Sequence, residues 1–364
     1  MMAGTIQLAH VNTPPAQTWN YLRINDIAIE VPVPREQGAA FNRLPRIFDG
    51  IECGIGDEAR DWIVASTPDA RYIEVPARTT RVDPIVVDIA AERDTAADTG
   101  ICVREGAEAT IVIVAGAALP GEATTSALTR IIAERFSKVH IMEIIALSGS
   151  FRHLEGLGVD AAHGAHVDVR QYFLGGKTVA AGFAANLAGD DATVELSCRY
   201  LVGTGETLDI NHIVRARGRN TREDMAVSGM LADGSTKTLR ETIDLIHGAK
   251  GSQGNEAETV LIAGENIRNK TLPVILCDED DVAGNHGATI GAISPEQLAY
   301  LQVRGLSEDE AVALFARSIF DDALIHAPEA ISAAAVAQRA EAVLGIEASR
   351  DSLEALGTDF FGGV

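Results

Sequence analysis

A chain of 364 residues, 46% hydrophobic, 23% charged and 5% aromatic, has a globular composition and room for two domains, or for one large domain with a helical appendage. Its formal net charge of −22 argues against nucleic acid as a partner, since nothing could neutralise a row of phosphates, and suits cationic partners or metal ions. No apolar run approaches the roughly 18–20 residues that span a bilayer, so no membrane segment is expected.

The opening "MMAGTIQLAHVNTPPAQTW" has no basic start leading into an apolar core, so no signal peptide is expected. Cys53, Cys102, Cys198 and Cys277 are far apart and form no CxxC pair. That spacing predicts a reduced, cytoplasmic protein and rules out a self-contained metal site made of four cysteines.

Residues 1–80 carry prolines at 14, 15, 32, 34 and 45 and short apolar pieces such as "DIAIEVPV", which read as an irregular lead-in with little helix. From 81 to 292 short β-type runs recur, among them "PIVVDI", "ATIVIVA", "KVHIMEIIAL", "AHVDVRQYF", "ATVELSCRYLV", "ETVLIAG" and "TLPVILC". Gly, Asn and Asp turns separate them. Within this stretch only "TSALTRIIAERFS" (125–137) reads as a full helix. Strands this numerous without alternating helices exclude a doubly wound α/β fold and leave a sandwich, a barrel or a solenoid. Several runs are apolar at both parities. Paired Asn-Gly hairpin signals are lacking, with "ADGS" at 232–235 the one candidate hairpin. The balance favours a solenoid, with a sandwich next.

The remainder, 293–364, reads as a helical domain. Ser294 is placed as N-cap, Pro295 at the first helical position and Gln297 where a capping box needs it, with Gly305 ending the helix. Ser307 and Glu310 repeat the device. Ala311, Leu314, Phe315 and Ile319 then share one face at helical spacing. A third helix, "APEAISAAAVAQRAEAVL", includes Pro328 near its start.

Most motif-like stretches fail on chemistry. "GGKT" (175–178) has Gln171 where a phosphate loop needs glycine, and a strand follows it. "GTGETL" (203–208) has Leu208 in place of the third glycine of a dinucleotide fingerprint. His163, His166 and Asp168 could ligate a metal, but histidines three apart do not share a strand face, so a loop is the expectation. No hydrolase-type elbow or marked carboxylate pair is present. A polysaccharide-cleaving solenoid would need an exposed carboxylate groove with basic residues, and the strand region shows none.

"LCDEDDVAGNHGATIG" (276–291) remains. Val282 and Ala283 stand where a calcium loop needs a ligand and a glycine. His286 with the acidic run suits iron or another borderline metal; a solvated turn is the plainer alternative. Cys277 ends an apolar strand and reads as a small buried hydrophobe.

The segment "DEDDVAGNHGATIGAISPEQLAYLQVRGLSEDEAVALF" resembles the C-terminal signature of the SufB/SufD family of iron–sulfur cluster assembly proteins. His286-Gly287-Ala288-Thr289, Tyr300-Leu301, Arg304-Gly305 and Glu308–Ala311 follow in the family's order. The stretch from "NHIVRARG" to "LPVILC" is similar to the family's strand-rich core, and "TWNYLRINDI" to its entry segment.

The resemblance implies a mainly β protein: a right-handed parallel β-helix (81–292), a C-terminal α-helical, ATPase-binding domain (293–364) and a short irregular N-terminal region (1–80). It implies a cytoplasmic scaffold that is not itself an enzyme. Such a scaffold dimerises with itself or a paralogue and holds a SufC-type ABC ATPase through Tyr300, Leu301, Arg304, Gly305 and Phe315. The implied cargo is a transient iron–sulfur cluster.

His286 matches the SufD histidine at the cluster-building interface. Gly287 stands where SufB has a glutamate, and Gly284 where SufD members often have a cysteine. Glu258 falls near the position of a SufB cysteine. Candidate cluster or iron ligands are therefore His286, Cys277, Glu258, Asp280 and Asp281. Because clusters are held chiefly by thiolates, a metal-free adaptor that couples the ATPase to a cluster-bearing paralogue is the alternative.

Overall fold

The computed structural model describes residues 4–34, 42–116 and 121–345; the stretch 346–364 of the expected helical domain lies outside them. Strands β1 (Thr5–Val11) and β2 (Ile27–Pro32) pair antiparallel, and helix α1 (Asp57–Ser66) follows. Then come β3 (Arg71–Val75), β4 (Ile85–Ala90), β5 (Thr95–Val103), β6 (Glu108–Gly116), β7 (Thr124–Ala133), β8 (Lys138–Ala146), β9 (Arg152–Ala161) and β10 (His166–Gly175). The series continues with β11 (Thr178–Leu187), β12 (Thr193–Val202), β13 (Thr207–Ala216), β14 (Arg222–Leu231), β15 (Thr236–Leu245), β16 (Gln253–Ile262), β17 (Arg268–Cys277) and β18 (Ala283–Gly291). Helices α2 (Pro295–Gln302), α3 (Glu308–His326) and α4 (Ala330–Leu344) close the described chain.

From β3 onward each strand pairs in parallel with the next but one. Odd strands build one eight-stranded sheet and even strands another. Each coil thus gives one strand to each sheet, so the chain is a β-solenoid followed by a helical region. The expected β-helix and C-terminal helices are both present.

Two sequence expectations are corrected. Residues 124–133 form β7, not a helix. Its apolar residues look helical because both faces are buried: Ala127, Ile131 and Ala133 face the inter-sheet core, while Leu128 packs under the N-terminal layer. Arg130 donates at 2.6 Å to buried Asp98. "ADGS" is not a hairpin, because β14 and β15 belong to different sheets.

Both outer faces are partly covered. On the odd sheet, Leu8, Val11, Ile29, Val31, Trp62 and Ile63 pack on Leu128, Leu154 and Ala180. The loop around Gly54 runs so close to β11 that a Cβ on Gly182 would collide with the backbone of Ile55. On the even sheet, Ala316, Ile319, Phe320, Ala323, Val336 and Ala340 cover Val112, Met142, Ile144, Leu174, Leu201 and Met230. Arg339 anchors α4 by donating to Glu206 at 2.8 Å and to the Leu174 carbonyl at 2.9 Å. Both predicted capping boxes form: Ser294 with Gln297 and Ser307 with Glu310. On α3, however, Leu314 and Phe315 are 50% and 40% exposed, away from the face on which Ala311 and Ile319 are buried.

Valine, isoleucine and leucine ladders fill most of the space between the sheets, yet ionisable groups also lie there. Burial holds His153 neutral, pulling it down to about 3. Burial raises Glu143 to about 7 and, with the Asp244 charge adding, Glu223 to about 8. Toward the C-terminal end Glu258 accepts from Tyr200 at 3.0 Å, from Thr271 at 2.6 Å and from the ammonium of Lys237.

A buried pair of this kind stabilises little in net terms, but removing one partner strands the other charge. Lys237→Met should cost about 3–5 kcal/mol in urea unfolding, and Glu258→Gln in the same chain should restore most of it. Folded Glu223 keeps a proton that the unfolded chain releases above the ordinary 4.5. Its contribution to stability therefore falls as pH rises from about 4.5 to about 8 and is flat beyond. Glu223→Gln should flatten that part of the stability–pH curve.

Candidate functional site

Among the described residues, the solenoid ends on a coil whose outer edge is open. β17 and β18 are the last strands of their sheets, and every residue of β18 is exposed. The "NHGAT" segment is thus an edge strand and not a turn. His286 pairs in register with Glu256 of β16, so the two side chains stand one above the other on the inward side of the sheet. His286 is half-exposed, because no further coil covers it, while the Glu256 side chain is only 1% exposed. The imidazole Nδ1 lies 3.8 Å from Glu256 Oε1. Burial, with the Glu241 charge adding, pushes Glu256 up to about 9. The Val274 backbone opposes this slightly, yet neither Glu256 oxygen holds a hydrogen bond of normal geometry.

The other proposed ligands are dispersed. Cys277 ends β17 in the opposite sheet; it is exposed, and its thiol donates to the Glu279 carbonyl at 3.3 Å. Cys53, Cys102 and Cys198 are buried. The acidic run is a coil-to-coil turn stitched to the coil before it. Glu279 accepts from the Gly248 N–H at 2.9 Å, and this bond holds its carboxyl below the ordinary range. The Asp281 carbonyl accepts from the Gly251 N–H at 2.7 Å. The side chains of Asp280 and Asp281 face solvent. Glu258 is committed to Lys237, Tyr200 and Thr271. Among the described residues no three His, Cys, Asp or Glu side chains are grouped closely enough to enclose a metal ion.

The residues expected to bind a partner do come together. Tyr300, Leu301 and Phe315, with Glu296 and Gln297, line an open groove of about 420 Å³ between α2 and α3. The Arg304 guanidinium stacks 3.5 Å from the Tyr300 ring centroid and donates to the Tyr300 carbonyl at 3.2 Å. Gly305 takes φ +90°, a left-handed conformation that turns the chain from α2 into the cap of α3. A larger cleft of about 580 Å³ lies elsewhere, where residues 49–58 meet β1, but its groups are engaged with one another. His10 pairs with Asp26 at 2.7 Å, and Glu58 accepts from the Ala9 and His10 backbone.

Elsewhere the expected rejections hold. "GGKT" leads directly into strand β11. No shared metal site forms, but the expected loop is corrected: His163 lies in a turn while His166 and Asp168 belong to β10, and the histidines bond separately, to the Asp190 carbonyl at 2.8 Å and the Thr193 hydroxyl at 2.6 Å. Sequence reasoning passed over Glu256. The signal was present in "NEAETV", whose alternation puts Glu256 and Glu258 on one face of the strand.

Comparison with known proteins converges on one family. The SufBD core domain of the SUF system for iron–sulfur cluster assembly matches residues 87–319. The SufD iron–sulfur cluster assembly protein of Bacillus subtilis is 28% identical over 146 residues, 36% of this chain and 33% of that protein. A SufBD family protein of Mycobacterium leprae is 27% identical over 196 residues, covering 54% of this chain and 23% of its own length. One from Pyrococcus horikoshii is 29% identical over 140 residues, 38% of this chain and 31% of its own. The matched segments thus span about a quarter to a third of these curated relatives. A family match over more than half of the chain, running through the strand that carries His286 into α3, makes this chain a member of the SufBD core family.

Proposed function

We propose that the chain is a scaffold subunit for iron–sulfur cluster assembly, working as a dimer with a SufC-type ABC ATPase that supplies the hydrolysis of ATP. Family membership supports the general role. The observation that carries the specific reading is the open last coil, which leaves His286 half-exposed beside two unpaired sheet edges. Such edges are templates for further strands, so the same or a paralogous chain can extend both sheets across the gap. Joining there brings a second set of ligands to His286, which one chain lacks. Cys277, Asp280 and Asp281 are near enough in sequence to the same coil to contribute; Glu258 would first have to release Lys237. The cluster is cargo, built and handed on. No described helix is long and apolar enough to cross a membrane.

The groove of Tyr300, Leu301 and Phe315, flanked by Arg304 and Gly305, is the proposed seat of the ATPase. Exposed aromatic and arginine side chains around an apolar hollow are the usual anchors of an interface. Closure of two bound ATPases would strain the helices against the even sheet and reach the dimer edge through α3, α4 and the Arg339–Glu206 pair. A metal-free adaptor is the second reading, favoured by three of the four cysteines being buried. Iron analysis of the isolated chain against the mixed complex separates the two.

Anaerobic reconstitution of the dimer and its ATPase with ferrous iron and sulfide should give cluster absorbance, and His286→Ala should lower the retained iron roughly ten-fold or more. Equal absorbance in the variant would remove His286 from the site. Phe315→Glu should abolish co-purification of the ATPase, weakening binding by about 2 kcal/mol or more, without lowering the unfolding temperature of the half-exposed helix face. Retained binding would place the ATPase elsewhere.

A further inference from the structure

Glu256 occupies a position that earlier coils fill with apolar side chains. Along the same inward column of the even sheet stand Ile141, Val169, Leu196 and Met225, each paired in register with the next; then come Glu256 and His286. The column therefore turns polar only at the coil directly beneath His286. Glu258, two residues on, has three bonding partners, whereas Glu256 has only a weak contact with the Val274 backbone and no hydrogen bond of normal geometry. A buried carboxyl without partners costs stability, and an apolar side chain of similar volume is the more stable choice at such a site. The packing of the solenoid gives no reason for a carboxyl here; the imidazole above it does.

The imidazole is turned so that Nδ1 faces Glu256 Oε1 at 3.8 Å, leaving Nε2 as the ring's other ligand atom. We propose that Glu256 is a positioning residue for His286: the carbonyl oxygen of its carboxyl group accepts the Nδ1 hydrogen, fixes the ring, and keeps the Nε2 lone pair available to iron. The proposal rests on reading His286 as an iron ligand only for what Nε2 binds; the orientation itself needs no metal. An outer oxygen acceptor on the far nitrogen, a carbonyl or a carboxylate, is how ligating histidines are generally held in one tautomer. The 3.8 Å separation is longer than a hydrogen bond, so the proposal requires the ring and the carboxyl to close by about 1 Å. Glu256 touches the ligand and not the cargo, so its effect reaches iron through His286.

The test uses the full chain labelled with 15N-histidine, at one fixed pH and without metal, with the His286 signals assigned from their loss in His286→Gln. The wild-type ring should be mainly the Nδ1–H tautomer. Glu256→Leu should move it to the Nε2–H form that free imidazole prefers, and Glu256→Gln should keep the wild-type pattern, because its amide oxygen still accepts. The fold should survive, since Leu196 and Met225 fill equivalent positions; Glu256→Met is the second variant. With ferrous iron as probe in the assembled dimer, Glu256→Leu should weaken retention roughly ten- to hundred-fold and Glu256→Gln much less. An unchanged tautomer in both apolar variants overturns the proposal. Should the tautomer follow Glu256 while His286→Ala leaves reconstitution intact, the positioning stands and the iron reading fails.

Discussion

Each residue of the solenoid owes its side of the sheet to the register in which one coil bonds to the next. Thr178, Thr207 and Thr236 follow one another through three coils of the odd sheet without a shift. Because strand side chains alternate, a slip of one residue would turn every lumen residue outward. The corners help to hold that register. Gly106, Phe136, Gly164, Asp191, Asn220 and Gly251 all take left-handed φ at one edge of successive coils. Each donates its N–H to a carbonyl in the next coil, in a series that ends on Asp281. The acidic turn before His286 is therefore the last member of a structural ladder, whatever else its side chains do.

Register also explains why charges are tolerated between the sheets. In an apolar lumen built from Val, Ile and Leu, neighbouring registers differ little in energy. A lysine that must meet a carboxylate, and a tyrosine that must meet the same carboxylate, penalise any slip by a lost partner on a buried group. Lys237, Tyr200 and Glu258 come from three strands in two sheets, so their junction fixes the late coils against each other. This matters most near the C-terminal end, where no further coil presses the last one into place.

The helix caps and most strand positions were legible because their determinants are local: Ser-x-x-Gln, Ser-x-x-Glu, and short apolar runs between glycine turns. β7 was not, since two-sided burial erases the alternation that marks a strand and leaves spacing that imitates a helix. Nor was the coil period, because the corners use Gly, Phe, Asp and Asn at equivalent positions and the runs between them differ in composition. At the candidate site, the resemblance drew attention to His286 and Glu258 by sequence position. Burial divides the two: Glu258 is bound up inside the lumen, and Glu256, one turn of the alternation earlier, is the carboxyl that meets the imidazole. On α3 likewise, Phe315 shares helical spacing with the buried Ile319, but only packing against the even sheet decides which of the two is left exposed.

The position of His286 follows from the same constraint. A side chain facing the lumen in any earlier coil would be sealed by the coil above and could meet neither iron nor a second chain. One facing outward on β18 would be accessible but would have no buried carboxyl beneath it. Among the described residues, only the inward side of the terminal coil combines a half-exposed imidazole with a buried carboxyl that lacks a normal hydrogen bond one strand away. Covering that coil with further strands would satisfy the sheet edges, so a chain that keeps the edges open also keeps the histidine accessible.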